Sequence, residues 1–150
     1  IQAALGISQL KRLDSFVAKR REIAKQYFDN LDDNILPYQH LDTKSSWHLF
    51  IIKPSDRKET YIKLKEQGIL TQVHYIPVVN QPYYQSLGYR IEQYPSTNQY
   101  YQNTLSIPLY YDLSKSDQNH VISSIKKYCN QIRVDDEVCF ICNKNICFCD

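Results

Sequence analysis

The stretch Gly68-Ile-Leu-Thr-Gln-Val-His74-Tyr75-Ile-Pro77-Val-Val-Asn80-Gln81-Pro82-Tyr83-Tyr84 limits the folds open to this chain more than any other segment. Gly68 stands where a helix over about 56–67, capped by Ser55, would stop, because glycine takes the left-handed conformation of a C-terminal cap without steric cost. A short apolar run over 71–75 follows and reads as a strand. Pro77 and Pro82 then forbid both a long helix and a central strand. The chain therefore alternates helical and extended pieces here, and the strand delivers His74 and Tyr75 directly into a turn.

The remaining segments follow the same alternation. Residues 1–13 carry apolar side chains at 1, 3, 4, 5, 7, 10 and 13, almost all round in the first two turns, which predicts a helix buried on more than one side. Gly6 lowers helix propensity there, so its expected use is the close approach of a neighbouring element. A break at Leu13-Asp14-Ser15 offers a fresh N-cap, and 16–31 resume the helical period. A short apolar run over 47–52, bounded by Ser46 and Pro54, reads as a strand, as does 105–109. Between them, 76–95 is a Tyr-rich connection with a short helical turn, and 96–104 is helical behind Pro95. Ser114-x-x-Asp117 is a loose capping box for a final helix over 115–129, with Val121, Ile122, Ile125, Tyr128 and Cys129 along one face. Strands separated by helices, after a pair of long helices, predict a small α/β sandwich with a mainly antiparallel sheet of three strands.

Composition narrows the function classes. Net charge is +2, too small to drive binding to nucleic acid or a membrane, and no apolar run is long enough to span a bilayer. No signal peptide is visible, so the expected location is cytoplasmic. The chain contains no Met and opens inside a helical pattern, and the expectation drawn from this is a piece of a longer protein. Four of the five cysteines, Cys139, Cys142, Cys147 and Cys149, fall in an appended tail over 131–150, behind the acidic Asp135-Asp136-Glu137. Four thiolates match a tetrahedral zinc site in number, but only the Cys-x-x-Cys spacing is standard. No metal site is assigned, and a reduced, redox-labile tail is the expectation.

Five motifs stand in a fixed order. They are the opening Ile1-Gln-Ala-Ala-Leu-Gly6-Ile-Ser-Gln-Leu-Lys-Arg-Leu13-Asp14, the basic helix Ala18-Lys-Arg-Arg-Glu-Ile-Ala-Lys-Gln-Tyr27, Ser46-Trp47-His48-Leu49-Phe50, the His74-Tyr75-x-Pro77 segment and Leu105-Ser-Ile-Pro108-Leu109. In that order, over residues 1–130, they resemble the C-terminal part of the DegT/DnrJ-type sugar aminotransferases, which use pyridoxal phosphate. The wording around His74 is similar to the branch that aminates a UDP-linked 4-keto sugar on the route to pseudaminic acid. The resemblance implies the small C-terminal domain of a fold-type I aminotransferase, glutamate as the usual amino donor, a UDP-sugar acceptor and a homodimer. It also implies that the Schiff-base lysine, its acidic partner and most of the phosphate cup lie upstream of Ile1. None of the twelve lysines here has a family-like Schiff-base setting, so no catalytic residue is assigned.

His74 and Tyr75 are the candidate substrate-binding residues. In the resembling enzymes the pair lies close to the sugar site. The structural alternative is that His74 caps a strand end and Tyr75 packs in the core. Trp47-His48 could line a pocket, but Trp47 as a core anchor and His48 pairing across the sheet is the stronger expectation. Tyr83 and Tyr84 could stack on a base or a sugar, or pack along their own loop. Lys19-Arg20-Arg21 reads as a solvated helix face rather than a diphosphate site. Thirteen tyrosines beside basic residues do not make a nucleic-acid surface without a motif. A different class of protein, a stand-alone non-catalytic interaction module using the Cys tail as a metal or partner site, fits the same composition.

Overall fold

The computed structural model describes residues 1–129; the cysteine tail and its metal question lie outside the described residues. Helix α1 (Gln2–Leu10) and helix α2 (Leu13–Asn30) lead into a single 3-10 turn over Asp33–Ile35. Strand β1 (Phe50–Ile52) and helix α3 (Arg57–Glu66) follow. The connection after α3 holds a 3-10 turn (Val78–Asn80), the short helix α4 (Pro82–Ser86) and a second 3-10 turn (Ile91–Gln93). Helix α5 (Pro95–Asn103), strand β2 (Leu105–Ile107) and helix α6 (Lys115–Cys129) complete the order. No described helix is long and apolar enough to cross a membrane.

The sheet is antiparallel, as expected, but smaller. β1 and β2 pair with Phe50 opposite Ile107, Ile51 opposite Ser106 and Ile52 opposite Leu105. The expected third strand over 71–75 shrinks to one antiparallel bridge, Gln72 to Ser106, on the other edge of β2. Thus 71–75 lies where a third strand would, but the chain leaves the ladder after one bridge and turns at Pro77, which has no N–H to continue it. Strand 47–52 loses its first residues because Trp47 adopts a left-handed φ of +50°. Strand 105–109 ends before Pro108, for the same reason as at Pro77.

The core lies between this small sheet and three helices. α2 contributes Ile23, Ala24 and Tyr27, the strands contribute Phe50, Ile52, Leu105 and Ile107, and α6 contributes Val121, Ile122, Ile125 and Cys129. Leu64 of α3 joins them as α3 packs on α6. Burying each of these large side chains is worth about 1.5–3 kcal/mol. Two buried polar side chains tie layers together. Gln118 donates to the carbonyl of Ile23 at 2.8 Å, and the Tyr27 hydroxyl donates to the carbonyl of Pro108 at 2.7 Å. Burial, with Tyr110 nearby as the lesser cause, pushes the Tyr27 phenol well above its ordinary range.

The caps show which local signals were decisive. Asp56, not Ser55, caps α3, accepting from the Glu59 amide at 2.8 Å. At the other end Gly68, with φ +76°, closes a Schellman motif: its amide bonds Lys65 at 3.0 Å and the Ile69 amide bonds Leu64 at 2.9 Å. The Ser114 cap of α6 forms as expected, with the Asp117 amide donating to the Ser114 hydroxyl at 3.1 Å, and that hydroxyl in turn donates to the Asp117 carboxylate at 2.7 Å.

Helix α1 departs from expectation. It has no buried residue, and Ile1, Leu5, Ile7 and Leu10 are all exposed. Nothing lies within 4 Å of where a side chain on Gly6 would begin, so no described element makes the close approach expected there. The break between helices falls at Lys11-Arg12 rather than at Leu13-Asp14-Ser15. Ser15 turns its hydroxyl back to the carbonyl of Arg12 at 2.7 Å instead of capping a new helix.

Candidate functional site

The turn after Gly68 carries His74 back against β2. The backbone bridge sets the position: Gln72 and Ser106 exchange both hydrogen bonds, at 3.1 and 2.7 Å. Two residues further on, on the same side of the extended segment, the His74 ring meets the Ser106 side chain, with Nδ1 2.7 Å from Oγ. Ser106 is buried, whereas His74 is half-buried. The peptide bond between His74 and Tyr75 is cis. The Tyr75 ring meets the imidazole edge-to-face at 4.7 Å and is 72% exposed. Tyr75 therefore does not pack in the core; it stands out beside His74.

His74, Ser106 and Gln72 line a cleft of about 510 Å³, within the ordinary size of small-molecule sites. Its walls are apolar, from Leu49, Ile69, Ile107, Leu109, Leu113 and Val121, and Asp117 and His120 of α6 stand at its edge. His120 places Nε2 3.0 Å from the carbonyl of Gln67, so α6 is tied to the end of α3 beside the cleft. Among the described residues no three His, Cys, Asp or Glu side chains come together as a metal site.

The other candidates distribute differently. Trp47 packs edge-to-face on Phe28 at 5.2 Å and tilted on Phe50 at 5.4 Å, the core-anchor role expected of it. It also lines a second cleft of about 410 Å³ with Tyr38, Ser45, Lys53 and Tyr100. His48 is exposed and lies before the strand, so it does not pair across the sheet, and it lines neither of these two clefts. Tyr83 and Tyr84 contact each other edge-to-face at 5.4 Å, and Tyr84 reaches Tyr89 at 6.3 Å. They pack along their own loop but stay substantially exposed.

The basic run needs a correction. Lys19 pairs with Glu22 at 3.0 Å in the ordinary surface manner, and Arg21 is exposed as expected, but Arg20 is half-buried, and both arginines reach across to backbone carbonyls. Arg20 Nη1 donates to the carbonyls of His48 at 3.0 Å and Trp47 at 3.2 Å, with Leu109 further off at 3.5 Å. Arg21 donates to Ser45 at 2.9 Å and Lys44 at 3.1 Å. Nη1 of Arg20 and Nε and Nη2 of Arg21 thus hold carbonyls of the loop before β1, and Arg20 also approaches the segment after β2.

On sequence alone Ser106 and Gln72 stand out only inside motifs, Asp117 only as a helix-capping residue, and His120 not at all. One signal was available for Ser106: it is the polar residue of the apolar run 105–109, and a hydroxyl in the middle of a buried strand needs a partner.

The chain matches the DegT/DnrJ/EryC1/StrS aminotransferase family over residues 1–126. It is 39% identical over 137 residues to the spore coat polysaccharide biosynthesis protein SpsC of Bacillus subtilis, covering 84% of this chain but 35% of that protein. It superposes on Helicobacter pylori PseC, an aminotransferase involved in pseudaminic acid biosynthesis, with TM-score 0.77 and 31% identity over 87% of this chain and 37% of PseC. It superposes equally, with TM-score 0.77 and 29% identity, on the PMP form of the putative sugar aminotransferase Spr1654 of Streptococcus pneumoniae, over 85% of this chain and 34% of that one. The solved structures it resembles are fold-type I aminotransferases, and the described part matches them as a partial α/β domain. The chain thus spans about a third of the length of these relatives. It belongs to the DegT/DnrJ/EryC1/StrS aminotransferase family.

Proposed function

We propose that this chain is the C-terminal portion of a pyridoxal-phosphate-dependent enzyme that moves an amino group from glutamate to a keto-sugar nucleotide. The observation that carries the reading is the family match over residues 1–126. Its narrower form, a UDP-linked 4-keto sugar on a pseudaminic acid route, draws support from the likeness to PseC. In this reading His74 and Tyr75 face the sugar: a half-buried imidazole offers one polar contact, and the exposed Tyr75 ring offers an apolar face with a hydroxyl at its end.

The residues of the cleft do not by themselves fit pyridoxal phosphate. That chemistry needs an amine within reach of the cofactor, and among the described residues no lysine lines the cleft around His74. Lys19, Lys25 and Lys63 are held in surface ion pairs with Glu22, Asp29 and Glu66. The cofactor and its lysine therefore belong, in this proposal, to the rest of the enzyme. The bare apolar side of α1, with Leu5, Ile7 and Leu10, packs there against the large domain and near a partner subunit.

The test is an amino-transfer assay on the enzyme that contains this chain, with glutamate and UDP-linked 4-keto sugar, read as 2-oxoglutarate released. Turnover that depends on pyridoxal phosphate is expected. No transfer to any keto-sugar nucleotide would remove the proposal.

A further inference from the structure

We infer that Ser106 is the positioning residue of His74, and that it fixes the imidazole as the tautomer with its proton on Nε2, so that His74 meets its ligand as a hydrogen-bond donor. The inference rests on the proposed role of His74 for the ligand, but the tautomer itself stands on Ser106 alone.

A serine hydroxyl has one proton to give, and a neutral imidazole has one nitrogen that donates and one that accepts. At 2.7 Å, Ser106 Oγ and His74 Nδ1 share one hydrogen bond, so one of them is the donor. If Nδ1 were the donor, the Ser106 hydroxyl proton would need a second acceptor. Ser106 is only 6% exposed, and its hydroxyl has no second partner among the described residues. A buried hydroxyl proton left unpaired is costly. If Ser106 is the donor, its proton is used and Nδ1 is the acceptor, so the imidazole proton must sit on Nε2.

The placement of Ser106 explains why it can impose this choice. Its backbone is held on both edges of β2, paired with Gln72 on one side and opposite Ile51 on the other. The same residue thus positions the 72–74 segment through its backbone and the imidazole through its side chain. No described residue bonds Nε2, which remains for the ligand. A donor at that position selects an acceptor oxygen, such as a sugar hydroxyl, a ring oxygen or a carbonyl.

The experiment is a two-bond proton–nitrogen correlation on the 150-residue chain carrying ¹⁵N-labelled histidine, at mildly alkaline pH where imidazole is neutral. His74→Gln assigns the His74 signals. In the wild type, Nδ1 is expected in the unprotonated range and Nε2 in the protonated range, with no averaging. Ser106→Ala should move both signals toward the mixture of free imidazole, and Ser106→Thr should restore them. A protonated Nδ1, an averaged wild type, or a spectrum indifferent to Ser106→Ala overturns the inference. If Ser106→Ala fails to fold, the wild-type spectrum decides alone. The two ideas fail separately. A fixed Nε2–H tautomer with unaltered kinetics in His74→Ala keeps Ser106 as the positioning residue and removes the ligand contact. An averaged tautomer with impaired His74→Ala kinetics does the reverse.

Discussion

Replacing Arg20 by Met should destabilise this domain far more than its place on the outer side of a helix suggests. Met keeps an unbranched stem of similar reach, so the change removes mainly the guanidinium. Two firm hydrogen bonds are lost, to the carbonyls of His48 and Trp47; the 3.5 Å approach to Leu109 is too long to count fully. Hydrogen bonds involving a charged group are worth about 1.5–3 kcal/mol each. Arg20 is only half-buried, so water replaces part of this, leaving about 3 kcal/mol for the pair. Freeing the loop also relaxes the left-handed backbone of Trp47, which returns about 1 kcal/mol. The net loss is about 2 kcal/mol, or a Tm lower by about 4–8 °C for a chain of this size. The control is Lys25→Met, which breaks an exposed ion pair with Asp29 and should cost about 0.3–0.5 kcal/mol. Thermal and urea unfolding of the two variants side by side give the comparison. Equal, small losses would show that Arg20 is the solvated residue its helix position predicts.

Other consequences are open to the same methods. Cys129 is buried beside Thr60, and burial pushes its thiol up to about 11. A group whose folded value is raised contributes stability below its unfolded value and loses it as pH rises through the folded one, so stability should fall between pH 9 and about 11, where the wild type should be more pH-sensitive than Cys129→Ala. Gly68→Ala forces a side chain into φ +76° and should cost about 1–2 kcal/mol, whereas Gly6→Ala, which meets nothing within 4 Å, should raise helicity and lose no stability; the reverse ranking would contradict the description of both sites. The Thr71 hydroxyl is buried without a partner among the described residues, so Thr71→Val should stabilise the chain by about 1 kcal/mol, and a clear loss in chemical denaturation would mean that the hydroxyl is satisfied.

Local signals in the sequence were read well where one residue decides the outcome. Gly68 stops α3, Pro95 opens α5, and Ser114 with Asp117 starts α6, because each depends on backbone groups within a few residues. Extended segments were read less well. The run 71–75 has strand-like composition, but pairing depends on β2, thirty residues away, and only Gln72 reaches it. Trp47 likewise has the composition of a strand residue, yet the core takes its ring and the loop takes its backbone into the left-handed region. The carbonyl partners of Arg20 and Arg21 were not legible because helix periodicity describes a helix in isolation; they lie in residues 44–48 and beyond β2. The apolar pattern of α1 called for burial, and no described residue supplies it. At the candidate site, His74 and Tyr75 stood out by their position before a proline turn, but the bond to Ser106 crosses thirty-two positions and no short motif encodes it.

The most direct measurement for the account as a whole is the steady-state kinetics of His74→Ala in the enzyme that contains this chain, taken with its melting temperature. If the imidazole makes one polar contact to the sugar, its loss should lower kcat/KM about tenfold or more, since such a contact is worth about 1–3 kcal/mol. The melting temperature should change little, because His74 is half-buried and outside the apolar core. Unchanged kinetics together with a large drop in Tm would show that His74 serves the fold rather than the substrate.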